Sequence, residues 1–171
     1  INPHQDTRHY YHKERLMPFG EYLPFRSWLH HVPKLKDIID FNDYANGTNR
    51  SMLQSKQHNI GAGICLESIY PNLFRRHSKQ GSDFQCIVAN NAWFFDSSAA
   101  KKLLQTSILR AVETNQYVIL AANTGISAII TNKGTVIQKS TLNTKTVLKE
   151  RIHTGYNPSI YHSIGNLIVY I

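Results

Sequence analysis

The chain has 171 residues, 42% hydrophobic and 18% charged, which fits one domain with a packed core and excludes a disordered chain. Its formal net charge of +8 points to an anionic partner, either nucleic acid or an anionic membrane surface. The basic residues are dispersed, with small clusters only at Arg75, Arg76 and Lys79 and at Lys101-Lys102. No basic run interleaved with aromatics reads as a nucleic-acid platform, so no nucleic-acid partner is expected.

The chain opens Ile1-Asn2-Pro3-His4-Gln5, which reads as the interior of a longer protein. Residues 1 to 26 are polar and aromatic. Within Tyr10 to Phe25, Pro18, Gly20 and Pro24 forbid a continuous helix and predict a strand leading into an ordered loop. Ser27 to Lys36 predicts a short helix, and the polar stretch Asp37 to Gln57, with its Asn46-Gly47 turn signal, an exposed loop. The run Ile60-Gly61-Ala62-Gly63-Ile64-Cys65 reads as a buried strand. Ser68 to Gln80 reads as a helix, with Pro71 near its first turn and Gly81 past its end. Phe84 to Ala89 is a second buried strand. Ser97 and Ser98 are expected to cap a long helix over 99–115. Its apolar stripe is Ala100, Leu103, Leu104, Ser107, Ile108, Ala111 and Val112. Tyr117 to Ala122 is a third strand. Ile126 to Thr131 and Thr135 to Ser140 flank the turn Asn132-Lys133-Gly134, and Thr144 to Ile152 alternates as a further strand. Strands alternating with helices predict an α/β layered domain. The tail Leu167 to Ile171 is too short to span a bilayer; it reads as the opening turn of a transmembrane helix or as an edge strand.

The two cysteines, Cys65 and Cys86, sit in apolar stretches outside any C-x-x-C or Cys/His spacing. The nine histidines lack H-x-x-x-H spacing, so no metal is expected. There is no glycine-rich phosphate loop, so no cofactor is expected either. Cys65 ends a predicted strand just before a predicted helix. The carboxyl ends of strands are where α/β sites form, and a helix N-terminus stabilises a thiolate. Glu67 lies two residues on. Lys13 and Glu21 bracket the Pro18-Phe19-Gly20 turn; a lysine beside a thiol stabilises both the thiolate and a developing oxyanion. Taken alone, these residues leave Cys65 open between core thiol and nucleophile, and Lys13 and Glu21 open between surface charges and site.

Five segments carry a resemblance: Tyr10 to Phe25, Ile64 to Glu67, Ala89 to Phe94, Arg110 to Glu113 and Ala122 to Ile130. In order and spacing they resemble the nitrilase-type (carbon–nitrogen hydrolase superfamily) domain of bacterial apolipoprotein N-acyltransferases. The Lys13 to Glu21 and Asn123-Thr124-Gly125-Ile126-Ser127 elements separate that family from soluble nitrilases. The resemblance implies a four-layer α-β-β-α sandwich, here truncated on its N-terminal side and covering residues 1–166, with 167–171 as the start of a C-terminal transmembrane helix. It implies a site facing the periplasm at the bacterial inner membrane. Cys65 then takes an acyl chain from a phospholipid donor as a thioester and passes it to the diacylglyceryl-cysteine of a lipoprotein. Lys13 stabilises the oxyanion, Glu67 and Glu21 shape and orient the site, and Trp93 is an aromatic near the nucleophile.

Some positions depart from the family pattern. Leu66 stands where Tyr is usual, Asn91 where Asp is usual, and Lys102-Leu103 in place of a Gln-His pair. The general-base glutamate of the triad lies upstream of Ile1 in the family, so the 171-residue piece is expected to be inactive alone. Two further readings share the fold: a soluble amide hydrolase using Cys65 and Lys13, and a catalytically inactive fragment. At a membrane, Phe25, Trp28 and Leu29 are expected to dip toward the bilayer, with Arg75, Arg76 and Lys79 against anionic headgroups.

Overall fold

A computed structural model describes residues 9–29, 43–48, 52–55, 57–92, 98–155 and 158–170. Its centre is a six-stranded sheet: β1 (Leu53–Ser55), β2 (His58–Ile64), β3 (Phe84–Ala89), β4 (Val118–Ala122), β5 (Ala128–Ile130) and β6 (Val136–Lys139), side by side in chain order. β2, β3 and β4 run parallel, while β1 and the β5–β6 hairpin add antiparallel edges. Two helices make the parallel crossovers, α2 (Pro71–Lys79) and α3 (Ala99–Thr114). A single turn, α1 (Arg26–Leu29), precedes the sheet, and α4 (Ile160–Ile164) packs on α3 and α2.

One face of the sheet and the inner sides of α2 and α3 enclose the core: Leu73 and Phe74 of α2, Ile87 and Ala89 of β3, Leu103 and Ala111 of α3, Val118 and Leu120 of β4, and Ala128 and Ile130 of β5. Gly63 lets α2 seat closely, since a Cβ there would stand 2.6 Å from Cζ of the fully buried Phe74 ring. The pleat turns Ile60, Ala62 and Ile64 to the opposite face, in register with Phe84, Cys86 and Val88, and beyond them Ile119 and Ala121. That second face is apolar too, and Val88 on it is 47% exposed. The described residues therefore form one sheet with one helical layer, as one half of the α-β-β-α sandwich that the resemblance implies would.

Several expectations change against this architecture. Residues 9–17 form no strand; the segment is a loop with one isolated bridge, Pro18 to Tyr22. β1 lies within the stretch read as loop, paired to β2 by a short antiparallel register. The helix predicted over Ser27 to Lys36 is the four-residue α1, and residues 30–42 lie outside the described residues. Ser68 to Gln80 splits: Cys65–Ile69 coils as a 3-10 turn, and the α-helix starts at Pro71, whose missing N–H costs nothing at N1. Ser98 makes no side-chain cap, and Ser97 lies outside the described residues. On α3, Val112 faces outward and Arg110 is buried instead, donating to Ser68 O and paired with Glu113. The alternation of Thr144 to Ile152 does not make a strand. Its backbone is met by a side chain: the Gln138 carboxamide donates to Lys149 O and accepts from Lys149 N–H. Gly165–Tyr170 is a 3-10 turn rather than an edge strand, and no helix among the described residues is long and apolar enough to cross a membrane.

Arg75 and Arg76 are half-buried, and each is bonded within the fold. Arg75 donates to the carbonyls of Tyr161, His162 and Ser163, capping α4, and Arg76 pairs with Glu14.

His77 of α2 is fully buried between Phe74 and Tyr11, with their rings edge-on to its own. Burial and the Arg76 cation push its pKa down to about 4, against a smaller upward pull from Gln85. The fold thus favours neutral His77. Stability from this group is complete above the ordinary value of 6.5 and is lost as pH falls toward about 4, for a total of roughly 3 kcal/mol. Chemical denaturation between pH 7 and 4 should show this decline, and His77→Gln should flatten it. An equal decline in both proteins would rule His77 out as its source.

Candidate active site

Cys65 is the first residue past β2, where the chain turns sharply into the 3-10 turn. Its φ of 53° is left-handed, a conformation that costs a non-glycine residue energy and recurs where side chains must be aimed. The turn is fixed by Glu67, whose carboxylate is fully buried. Oε2 accepts from Ile64 N–H at 2.7 Å and from the Tyr11 hydroxyl at 2.9 Å. Oε1 accepts from Glu14 N–H at 2.7 Å and Arg15 N–H at 3.0 Å. One carboxylate thus closes the turn behind Cys65 and pins residues 11–15 to the end of β2. Because four donors satisfy it, its burial is supported.

Lys13 sits inside that pinned segment. Its ammonium, with the side chain only 11% exposed, pairs with Glu21 Oε1 at 2.6 Å. Glu21 Oε2 accepts from Met17 N–H at 2.7 Å, so the Pro18-Phe19-Gly20 turn folds Glu21 back against Lys13. Residues 43–48 brace the loop from outside. Tyr44 N–H donates to Glu21 O, Gly47 N–H to Lys13 O, and Asp43 takes both Leu23 N–H and the Arg26 guanidinium. Position 47 must be glycine for this contact, because a Cβ would lie 2.3 Å from His12 O.

The Cys65 thiol is half-buried, and burial pushes its pKa up. The Lys13 charge and the Leu66 N–H pull it down, while Glu21 and Glu67 add to the rise. This corrects the expectation of a thiolate stabilised by a helix N-terminus. A five-residue 3-10 turn begins at the cysteine, and desolvation outweighs the nearby cation, so the resting group is a thiol.

Cys65 opens into a cavity of about 210 Å³ with almost wholly apolar walls. Met17, Leu66 and Ile69 form one side, and Ala99, Lys102, Leu103 and Thr106 of α3 the other. Asn91 also lines it, with the side chain buried and its Nδ2 lacking a partner among the described residues. Beside it, Asn123 joins the ends of β3 and β4: its Oδ1 accepts from Asn91 N–H and its Nδ2 donates to Asn90 Oδ1. The structure brings together Cys65, Lys13, Glu21 and Glu67. Trp93 lies outside the described residues. Sequence reasoning passed over Tyr11, whose hydroxyl is the only side-chain donor named here on Glu67; its place two residues before Lys13 was the available signal. Among the described residues no group of three or more His, Cys, Asp or Glu is arranged to hold a metal.

The carbon–nitrogen hydrolase family profile matches residues 1–156. The chain belongs to the carbon–nitrogen hydrolase family. Among curated relatives it is 33% identical over 158 residues to the apolipoprotein N-acyltransferase of Geobacter metallireducens, covering 92% of this chain and 30% of that protein. It is 32% identical over 165 residues to the Pasteurella multocida protein of the same name (96% and 32%), and 35% over 158 residues to that of Rickettsia prowazekii (91% and 31%). The chain spans about a third of the length of these relatives. Two solved structures share the fold. Saccharomyces cerevisiae Nit3, of the nitrilase superfamily, aligns at a TM-score of 0.51 and 15% identity, over 78% of this chain and 48% of that one. A carbon–nitrogen hydrolase from Helicobacter pylori aligns at 0.53 and 10% identity, over 60% and 43%. These two likenesses bear on the fold alone.

Replacing Glu67 with Gln keeps the volume but turns one acceptor oxygen into a donor facing two donors. The expected loss is about 3 kcal/mol in denaturation midpoint terms, with the 9–25 loop released. A wild-type midpoint would show that the carboxylate is dispensable. For the thiol, iodoacetamide alkylation of Cys65 should follow a pKa above the ordinary thiol value of 9.0 and rise further in Lys13→Met, which removes the downward pull. An inflection below that value in the unmodified protein would contradict the desolvated thiol.

Proposed function

We propose that the chain carries the acyl-transfer centre of an N-acyltransferase. Cys65 takes a fatty acyl chain from a phospholipid as a thioester and passes it to the α-amino group of a lipoprotein's diacylglyceryl-cysteine. The observation that carries this reading is the pairing of a strained, half-buried thiol beside the Lys13 cation with an apolar cavity at the sulfur. The names of the relatives support it.

In the first half-reaction the thiol loses its proton to a base and Sγ attacks the ester carbonyl. A C–S bond forms, the ester C–O bond breaks, and the lysophospholipid oxygen leaves with a proton. The Lys13 ammonium, held in place by Glu21, faces the oxyanion that develops. In the second half-reaction the lipoprotein amine attacks the thioester, a C–N bond forms, and the thiol is released. The apolar cavity disfavours water as the competing nucleophile.

The base comes from outside the carboxylates described around Cys65. Glu21 is committed to Lys13 and Met17, Glu67 to four donors, and Glu14 to Arg76. A desolvated thiol needs such a base, and on this reading it is supplied by the full-length protein. The site faces the periplasm at the inner membrane. Phe25 and Trp28, 81% and 69% exposed beside the loop that carries Lys13 and Glu21, are its apolar contact with the lipid surface.

Incubating the full-length protein with vesicles of acyl-labelled phosphatidylethanolamine should give an acyl adduct on Cys65, seen by mass spectrometry and lost in Cys65→Ala. Residues 1–171 alone should give none. Ammonia released from small amides in place of the adduct would favour the hydrolase reading, and neither product would favour an inactive relative.

A further inference from the structure

The inner side of α3 carries a charge among its packed residues. Arg110 is buried there with Leu103, Ser107, Ala111 and Thr114. Its counter-ion is Glu113, one turn on, at 2.8 Å. The pair is satisfied only by halves: Arg110 Nε and Glu113 Oε2 have no partner among the described residues. Burial pushes the guanidinium's pKa down and the carboxylate's up, so the surroundings disfavour both charges. Well-packed apolar residues of similar volume often serve a fold as well as such a pair, or better. What the arginine has that an apolar residue lacks is a second prong. Its Nη1 donates to Ser68 O at 3.2 Å, across 42 residues of sequence.

Ser68 is the fourth residue of the 3-10 turn that begins at Cys65, and it is buried. α3 holds both its hydroxyl and its carbonyl. Thr106, one helical turn before Arg110, gives its own hydroxyl proton to Leu103 O at 2.9 Å, so it accepts from the Ser68 hydroxyl at 2.8 Å. The Ser68 carbonyl goes to Arg110 for a reason written in the sequence. A 3-10 bond to it would come from the residue three places on, which is Pro71, and proline has no N–H. Glu67 closes the same turn at its other end, through Ile64 N–H. Cys65, at a φ of 53°, stands between these two anchors. A non-glycine residue keeps a left-handed backbone only where its surroundings over-determine it. Glu67 fixes how the chain enters the turn; Thr106 and Arg110 fix how it leaves.

We propose that Arg110, together with Thr106, is a positioning residue for the nucleophile: by holding Ser68 it keeps Cys65 in its left-handed conformation, with the sulfur set at the apolar cavity. Arg110 is not among the residues that line that cavity, so it acts through the turn. The proposal rests on the acyl-transfer reading for the reaction itself and adds to it the device that aims the sulfur. It also accounts for a buried, half-satisfied ion pair that stability alone does not favour.

The test uses the full-length protein and the paired substitution Arg110→Met with Glu113→Leu, which removes the contact with Ser68 O and leaves no buried charge behind. Its denaturation midpoint should be at or above that of the unmodified protein. The chemistry of Cys65 should change all the same. With the turn released the thiol leaves its half-buried place, so the pH inflection of its alkylation by iodoacetamide falls back toward the ordinary 9.0. Lys13, Glu21 and Glu67, the charges that act on the thiol, are the same in both proteins. With vesicles of acyl-labelled phosphatidylethanolamine, the maximal rate of adduct formation should fall about tenfold or more, while the half-saturating lipid concentration stays within about twofold. Thr106→Val, which leaves the ion pair intact, should move both readouts the same way by a smaller amount. A double variant with a normal midpoint and an unchanged inflection overturns the proposal, because a merely structural pair leaves the thiol where it was. A shifted inflection with an unchanged adduct rate overturns it too. If the double variant does not fold, Thr106→Val decides, and unchanged values there overturn the proposal equally. An unmodified protein that forms no adduct overturns the acyl-transfer reading, while the alkylation profiles still decide whether Ser68 holds the thiol in place.

Discussion

The Glu67 carboxylate accepts four hydrogen bonds, two on each oxygen, from groups that lie both three and more than fifty residues away in sequence. A buried carboxylate is costly unless every lone pair is used, and here the donors come from two separate pieces of chain. Its burial, the closing of the turn at Cys65 and the position of the Lys13 loop are therefore one event. Neither the loop nor the turn has regular secondary structure to hold it, so the carboxylate takes the place of a ladder. The brace by residues 43–48 and the Arg76 pair with Glu14 act on the same loop and depend on its being docked first.

The site is a compromise between packing and charge. Burial that shapes the apolar cavity also raises the thiol's pKa, and the Lys13 cation that lowers it is paired with Glu21, which raises it. This arrangement suits a nucleophile that is kept protonated until substrate and base arrive together. An exposed, permanently ionised thiol is open to oxidation and to attack by any electrophile.

Much of the sheet was legible because its signals are local. β3 follows a short apolar run, β4 begins one residue late, and the hairpin carries its own Asn-Lys-Gly turn. β1 was not legible, because three residues carry no period and pairing with β2 alone makes them a strand. Thr144 to Ile152 shows the reverse: alternation without a backbone partner, satisfied instead by the Gln138 side chain. At the site, the residue types in order pointed to Lys13, Glu21, Cys65 and Glu67, but their division of labour did not show. That Glu67 binds backbone rather than the thiol, that Tyr11 joins it, and that Lys102 borders the cavity are facts of three-dimensional proximity. The direction of the thiol's shift was misread because five residues of 3-10 turn replaced the expected helix start, and desolvation has no signature in a sequence.

The strand order carries a consequence for how the molecule comes apart. Each strand pairs only with its neighbours in sequence, the parallel pairs bridging 24 and 33 residues. The loop bearing Lys13 joins it through contacts that reach across more than fifty residues to Glu67. Sheet and loop are thus separate cooperative units of unequal stability. Amide protons at Glu14 and Arg15 should exchange with solvent through opening of the loop alone, while those of β3 and β4 wait for the whole sheet. The molecule can lose its arrangement for chemistry, and recover it, without unfolding.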